Sequence, residues 1–288
     1  MSDSSGSPWR LGGLSLREFT MRVYAAAFEH EIFDRAAALS YYFLFALFPT
    51  LLLLTALLGT LGTPHLMAEL MSYGDAVLPP AVASLLSRTL VEIVVGDGTA
   101  ALSVGAIGIL WAASRGVRSV IAALNVVYAV ERGRPWWRRQ VVAVLLTLAF
   151  CVFTLTALVL LAFGGRIGEA VAAWAGLGDV FTAVWRLAQW PVGILFGIVG
   201  MDLTYYLAPA ARGRLTWLSP GAVVATTGCV VASLAMRVYV GNFADYNATY
   251  GSIGAVIVLM LLLYLSAAML LVGAEINAAI TRAASDGE

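Results

Sequence analysis

The chain has 288 residues, of which 61% are hydrophobic and 12% charged, and its 17 basic and 17 acidic residues cancel to a net charge of zero. A soluble domain carries roughly 25% charged residues, so this composition excludes a soluble fold. The absence of a basic excess argues against a nucleic-acid partner, which normally meets a basic face.

Residues 1–12 read as a disordered polar tail without the charged start and short apolar core of a signal peptide. Insertion then relies on the first span. Residues 13–34 place Leu16, Phe19, Val23, Ala26 and Ala27 at helical spacing with charges elsewhere, as an interfacial helix does. Six apolar stretches follow, at 36–61, 100–128, 140–163, 187–208, 219–240 and 252–280. Each reaches the roughly 20 residues that cross a hydrocarbon core as a helix. Their lack of strict alternation favours helices over barrel strands, since lipid leaves no other way to satisfy the backbone. Between the first two lies a long loop, 65–95, where Pro79 and Pro80 separate two amphipathic pieces, which predicts a helical first outer loop. The expected fold class is therefore all-α: a polytopic membrane bundle of six transmembrane helices, with an interfacial helix, in a single domain over 13–282 and a short tail at 283–288.

Orientation follows from the arginines, the only basic residues present. Arg10, Arg17, Arg22 and Arg35 precede the first span; Arg132, Arg134, Arg138 and Arg139 join the second to the third; Arg212 and Arg214 join the fourth to the fifth; Arg282 lies in the tail. The alternate connections hold only Arg88, then Arg166 and Arg186, then none. The positive-inside rule predicts that both termini are cytoplasmic.

Ionisable groups at membrane depth are costly and tend to mark function. With entry near Ala100, Arg115 lies roughly 22 Å deep at 1.5 Å per residue, and Arg118 and Asn125 share its face within about an 80° arc. Asp202 reaches the same depth from the fourth span, so a meeting of Asp202 with Arg115 and Arg118 is expected. Tyr205 lies on the face of Asp202, and Glu275 and Asn277 fall at the inner boundary of the last span. Arg237, Asn242, Asp245 and Tyr246 form an outer-loop group. Pro49 removes a backbone bond inside the first span and is a candidate hinge. Gly193 with Gly197, and Gly105 with Gly108, are candidate packing contacts. A structural reading competes at each point: Arg115 and Arg118 as lipid-facing anchors or half of an ion pair, Glu275 as a helix-end charge, Arg237 as a partner of Asp245.

The chain shows no catalytic constellation, no phosphate loop and no metal-ligand spacing around His30 or His65. Cys151 and Cys229 fall inside spans, where a thiol behaves as a small hydrophobe. No enzyme activity, cofactor or metal is expected.

The blocks DRAAALSYYFLFALFPTLLLLTALLG (34–59), AASRGVRSVIAALNVVY (112–128), RPWWRR (134–139), WLSPGAVVAT (217–226) and NFADYNATYGSIGAVIVLMLLLYLSAAMLLVGAEIN (242–277) resemble the YihY/BrkB family of bacterial inner-membrane proteins over about 20–280. The resemblance implies a multi-pass fold and carries over Ala38, Tyr41, Tyr42, Pro49, Arg115, Gly116, Leu124, Asn125, Tyr128, Pro220, Gly221, Asn242, Tyr246, Tyr250, Gly251, Gly273, Glu275 and Asn277, with no catalytic role for any. The family was once labelled a ribonuclease, a label since withdrawn, and one member is associated with serum resistance. The expected function is that of a transporter or flippase moving an anionic amphiphile or solute, with the lipid bilayer as partner. The alternatives are an envelope scaffold or serum-resistance factor and, less favoured for want of metal ligands, a membrane-bound nuclease or hydrolase.

Overall fold

The computed structural model describes residue 9 and residues 14–60, 102–175, 178–211, 215–242 and 246–286. The tail at 1–12 (save residue 9), the first outer loop at 65–95, His65, Asp245, Arg88, Arg212 and Arg214 lie outside the described residues. Seven helices and no strand appear among them: α1 (Leu16–Glu29), α2 (Ile32–Thr60), α3 (Leu102–Val127), α4 (Trp136–Ala175), α5 (Gly178–Leu207), α6 (Pro220–Asn242) and α7 (Tyr246–Asp286). The architecture is all-helical. Three stretches, Trp136–Thr156 of α4, Pro220–Val240 of α6 and Val256–Ser285 of α7, are long and apolar enough to cross a membrane.

Ser15 starts α1 through a capping box: its hydroxyl accepts the Glu18 amide at 3.3 Å, and the Glu18 carboxylate accepts the Ser15 amide at 3.2 Å. The Ser15 hydroxyl, which donates to the Glu18 carboxylate at 2.6 Å, and then the Ser15 amide hold Glu18 below the usual carboxylate range. Phe19 and Ala27 are buried, whereas Leu16 is exposed, so the inward face is narrower than the spacing predicts. The expected helix over 13–34 is two helices. The chain breaks at His30 and Glu31, where Glu31 takes a left-handed φ of 49° and donates its amide to the Phe28 carbonyl at 3.0 Å.

The expected connection from 164 to 186 is also corrected. α4 runs 40 residues to Ala175 and α5 starts at Gly178, which places Arg166 and Arg186 within helices. RIGEAVAAWA after Gly165 is a run of good helix formers and carries the helix past the apolar segment. α2 continues through Pro49, where the ring leaves the Phe45 carbonyl without its usual donor.

α7 packs against α1, α2, α3 and α6. Leu271, Ala274, Glu275 and Ala278 make one fully inward face, at the three- and four-residue spacing of a helical stripe. Its neighbours contribute small residues, Ala36, Ala123, Ala222 and Ala225, so helix backbones come close and dispersion contacts multiply. The tightest approach joins α6 to α7. A Cβ on Gly221 would collide with the Gly273 carbonyl, and one on Gly273 with the Gly221 carbonyl and the Tyr205 hydroxyl. The expected Gly193–Gly197 contact is not a glycine pair: Gly193 meets open space and Gly197 faces the Thr226 methyl. Only backbone-to-backbone approach makes a glycine irreplaceable, and hydrophobic periodicity does not mark it.

Gly273→Ala is therefore expected to lower stability by at least the roughly 1–3 kcal/mol of an overpacked core, with Gly193→Ala near neutral. Thermal unfolding of the two variants in detergent checks the contrast.

Candidate functional site

The predicted seam divides into three separate groups. The first ties down the connection from α5 to α6. Asp202, 3% exposed, accepts the Leu218 amide at 2.7 Å, the Ser219 amide at 3.3 and 3.4 Å and the Ser219 hydroxyl at 2.5 Å. Leu218 has a left-handed φ of 55°, which turns the chain back so that these donors face the carboxylate. Ser219 precedes Pro220, the first residue of α6, a natural pairing of N-cap and N1 residues. Its hydroxyl accepts the Ala222 amide at 3.2 Å and the Asn277 side-chain amide at 2.9 Å. The Asn277 carbonyl oxygen takes the Gly221 amide at 2.9 Å. Asp202 thus places negative charge at the positive end of α6.

The expected meeting of Asp202 with Arg115 and Arg118 does not occur. Equal depth is not proximity: the carboxylate faces the α6 N-terminus, where three donors already hold it. Tyr205 donates its hydroxyl to the Leu270 carbonyl at 2.8 Å. Asn125 is turned away from the arginines and accepts the Ala210 amide at 2.8 Å. Arg134 closes the end of α5, donating to the carbonyls of Ala208 at 2.7 Å, Pro209 at 2.9 Å and Leu207 at 3.3 Å.

The second group centres on Glu275, which is fully buried. One carboxylate oxygen meets His30 Nδ1 and the other meets the Arg282 guanidinium at 3.0 Å. The His30 contact ties the α1–α2 break to α7, and the Arg282 contact is an ion pair within α7. Glu275 is not a terminal charge, because α7 continues to Asp286.

The third group is a cavity of about 510 Å³ lined by Arg35, Arg115, Arg118 and Arg139 with Trp111, Tyr42, Leu39 and three alanines. It lies between α2, α3 and α4. Trp111, Arg115 and Arg118 share a face of α3 at offsets of four and seven residues, and the two guanidinium carbons sit 5.1 and 5.4 Å from the Trp111 ring centre. Nε of Arg118 and Nε of Arg139 are buried and meet no acceptor among the described residues. Arg35 gives its Nε–H to the His30 carbonyl at 2.8 Å. Among the described residues no carboxylate lines the cavity. A sphere of that volume is about 10 Å across, and at that distance two unit charges repel by roughly 1.7 kcal/mol at an effective dielectric constant near 20. The arrangement suits binding of an anion and offers no nucleophile beside a base.

The outer-loop group is redistributed. Arg237 is exposed on α6, Asn242 ends that helix and Tyr246 begins α7. Sequence reasoning missed His30, Arg35, Trp111, Arg134, Arg139, Ser219 and Arg282 as site residues. The Trp111–Arg115–Arg118 spacing and the Ser219–Pro220 pair were legible signals; the cross-helix partners carried none.

Asp202→Ala is expected to destabilise the fold by about 1–3 kcal/mol for each donor left unmet. Glu275→Gln, which weakens the bonds to His30 and to the half-exposed Arg282, is expected to cost about 1–3 kcal/mol. Arg118→Gln removes one of four converging like charges and is expected to leave stability unchanged or raise it. Unfolding in detergent, compared across the three variants, separates the groups that hold the fold from the one that does not.

Among known proteins, the chain matches the family described as "Virulence factor BrkB" over residues 23–288. It is 36% identical over 251 residues to the ribonuclease-like protein YfkH of Bacillus subtilis, covering 86% of this chain and 90% of that one. It is 24% identical over 265 residues to a UPF0761 membrane protein of Xanthomonas campestris, covering 88% of this chain and 58% of the relative. A UPF0761 membrane protein of Aeromonas salmonicida is 35% identical over 86 residues, 30% of each chain. The word ribonuclease in the Bacillus name has no counterpart in the family description or in these two other names. No solved structure matches the chain. With the match running from within α1 through α7 to residue 288, the chain belongs to the BrkB family of membrane proteins.

Proposed function

We propose that this protein is a transporter or flippase-like protein of the bacterial inner membrane, which receives the charged group of an anionic amphiphile in the arginine cavity. One observation carries the reading: four arginines line one cavity whose wall, among the described residues, holds no carboxylate. Arginine suits phosphate because its planar fork binds two oxygens. The apolar part of such a substrate has Trp111, Tyr42 and Leu39 beside it.

α2 to α7 serve as the six crossings of one membrane domain, and both termini face the cytoplasm. Supporting this orientation, α1 packs against α7 and His30 meets Glu275, seven residues before Arg282, so the arginine-bearing ends share one side. Arg35 near the start of α2 and Arg139 near the start of α4 set the cavity toward that side. The glycines and Pro49 supply places where helices slide or bend.

A scrambling assay in proteoliposomes tests the reading, with fluorescent anionic and zwitterionic lipids and Arg115→Gln and Arg118→Gln beside wild type. Selective movement of the anionic lipid, reduced at least tenfold in either variant, is the expected result. No movement of any lipid by folded protein sinks lipid transport and turns attention to a scaffold role in the envelope.

A further inference from the structure

The cavity holds more positive charge than one phosphodiester answers. Arg35, Arg115, Arg118 and Arg139 all line it. Arginine stays protonated throughout the accessible pH range, so the wall keeps its charge whatever the pH. Nε of Arg118 and of Arg139 is buried without an acceptor among the described residues, which leaves a donor unmet on each of two helices, α3 and α4. Arg115 and Arg118 both rest on the Trp111 ring, so two forks project from one platform.

We infer that this cavity selects a compact headgroup with two or more negative charges on one phosphorus or on two linked ones, a phosphomonoester or a diphosphate, over a singly charged phosphodiester. The inference rests on reading the cavity as an anion site. A sugar-bearing headgroup fits poorly: besides the arginines, the lining supplies two hydroxyls, Tyr42 and Ser119, and Ser119 already donates to the Gly116 carbonyl at 2.6 Å. A monoester gains its second charge near pH 6. The groups facing it are Arg35 and Tyr42 from α2, Arg115 and Arg118 from α3 and Arg139 from α4, and a guanidinium as a class keeps its charge in proteins. The His30 side chain is held by Glu275. Recognition of a monoester therefore strengthens as pH rises through about 6, and recognition of a diester stays flat.

The test uses the full chain in phosphatidylcholine nanodiscs containing equal fractions of either phosphatidic acid or phosphatidylglycerol. A second arm titrates inorganic pyrophosphate or dimethyl phosphate into discs of phosphatidylcholine alone. Trp111 emission, taken as the difference between wild type and Trp111→Phe, reports the cavity. The expected result is a half-maximal response to phosphatidic acid, pyrophosphate or both at a concentration at least tenfold lower than the singly charged counterpart requires. Arg118→Gln and Arg139→Gln lose that preference, and Arg118→Lys retains part of it. A response confined to the lipid arm identifies a headgroup, and one confined to the soluble arm identifies a free diphosphate. Equal responses to single and double charge, or none from protein with unchanged thermal unfolding, overturn the inference. Preference in binding without scrambling would sink the transport reading alone, whereas equal scrambling of both lipids without preference in binding would sink the inference alone.

Discussion

The contact on which the rest depends is the approach of α6 to α7 at Gly221 and Gly273, where backbone meets backbone with no room for a Cβ. That closeness lets Asn277 accept the Gly221 amide and donate to Ser219. Ser219 in turn donates to Asp202 on α5. One glycine pair thereby couples three helices through a network in which each buried group has a partner. Such a network is rigid because loosening any member exposes an unmet donor or acceptor in a medium that solvates neither.

The same logic explains the placement of charge. The net charge is zero over the whole chain, yet the buried acids Asp202 and Glu275 are engaged with other partners and do not line the arginine cavity. Asp202 is held by the α6 N-terminus and Glu275 by His30 and Arg282. The arginines of α3 and α4 converge on a cavity with an aromatic ring as their nearest answer. Like charges held together oppose folding, so the lining arginines add nothing to the stability that the satisfied network supplies. The network and the arginine cavity are separated by which face of a helix carries each charge.

Several features were open to reading from the amino-acid order. The apolar stretches identify helices because all backbone bonds of a helix are local, and length alone says whether one can span. Ser15 with Glu18 marks a helix start for the same local reason. Trp111, Arg115 and Arg118 fall on one face by spacing alone. Helix ends were less legible: α4 and α5 run almost into one another across 176–177, because helix-forming residues continue where hydropathy falls.

By itself, then, the sequence determined the helical membrane class, the family and the face shared by Arg115 and Arg118, which rest on segments read one at a time. Tertiary structure alone decided the partners. Asp202 is engaged by Leu218 and Ser219 at the start of α6, whereas Arg115 faces the cavity between α2, α3 and α4. His30, whose sequence neighbours suggest nothing, meets Glu275 245 residues away because the break between α1 and α2 lies against α7. Arg35 and Arg139, counted from sequence as loop charges, become cavity walls only once α2, α3 and α4 are assembled.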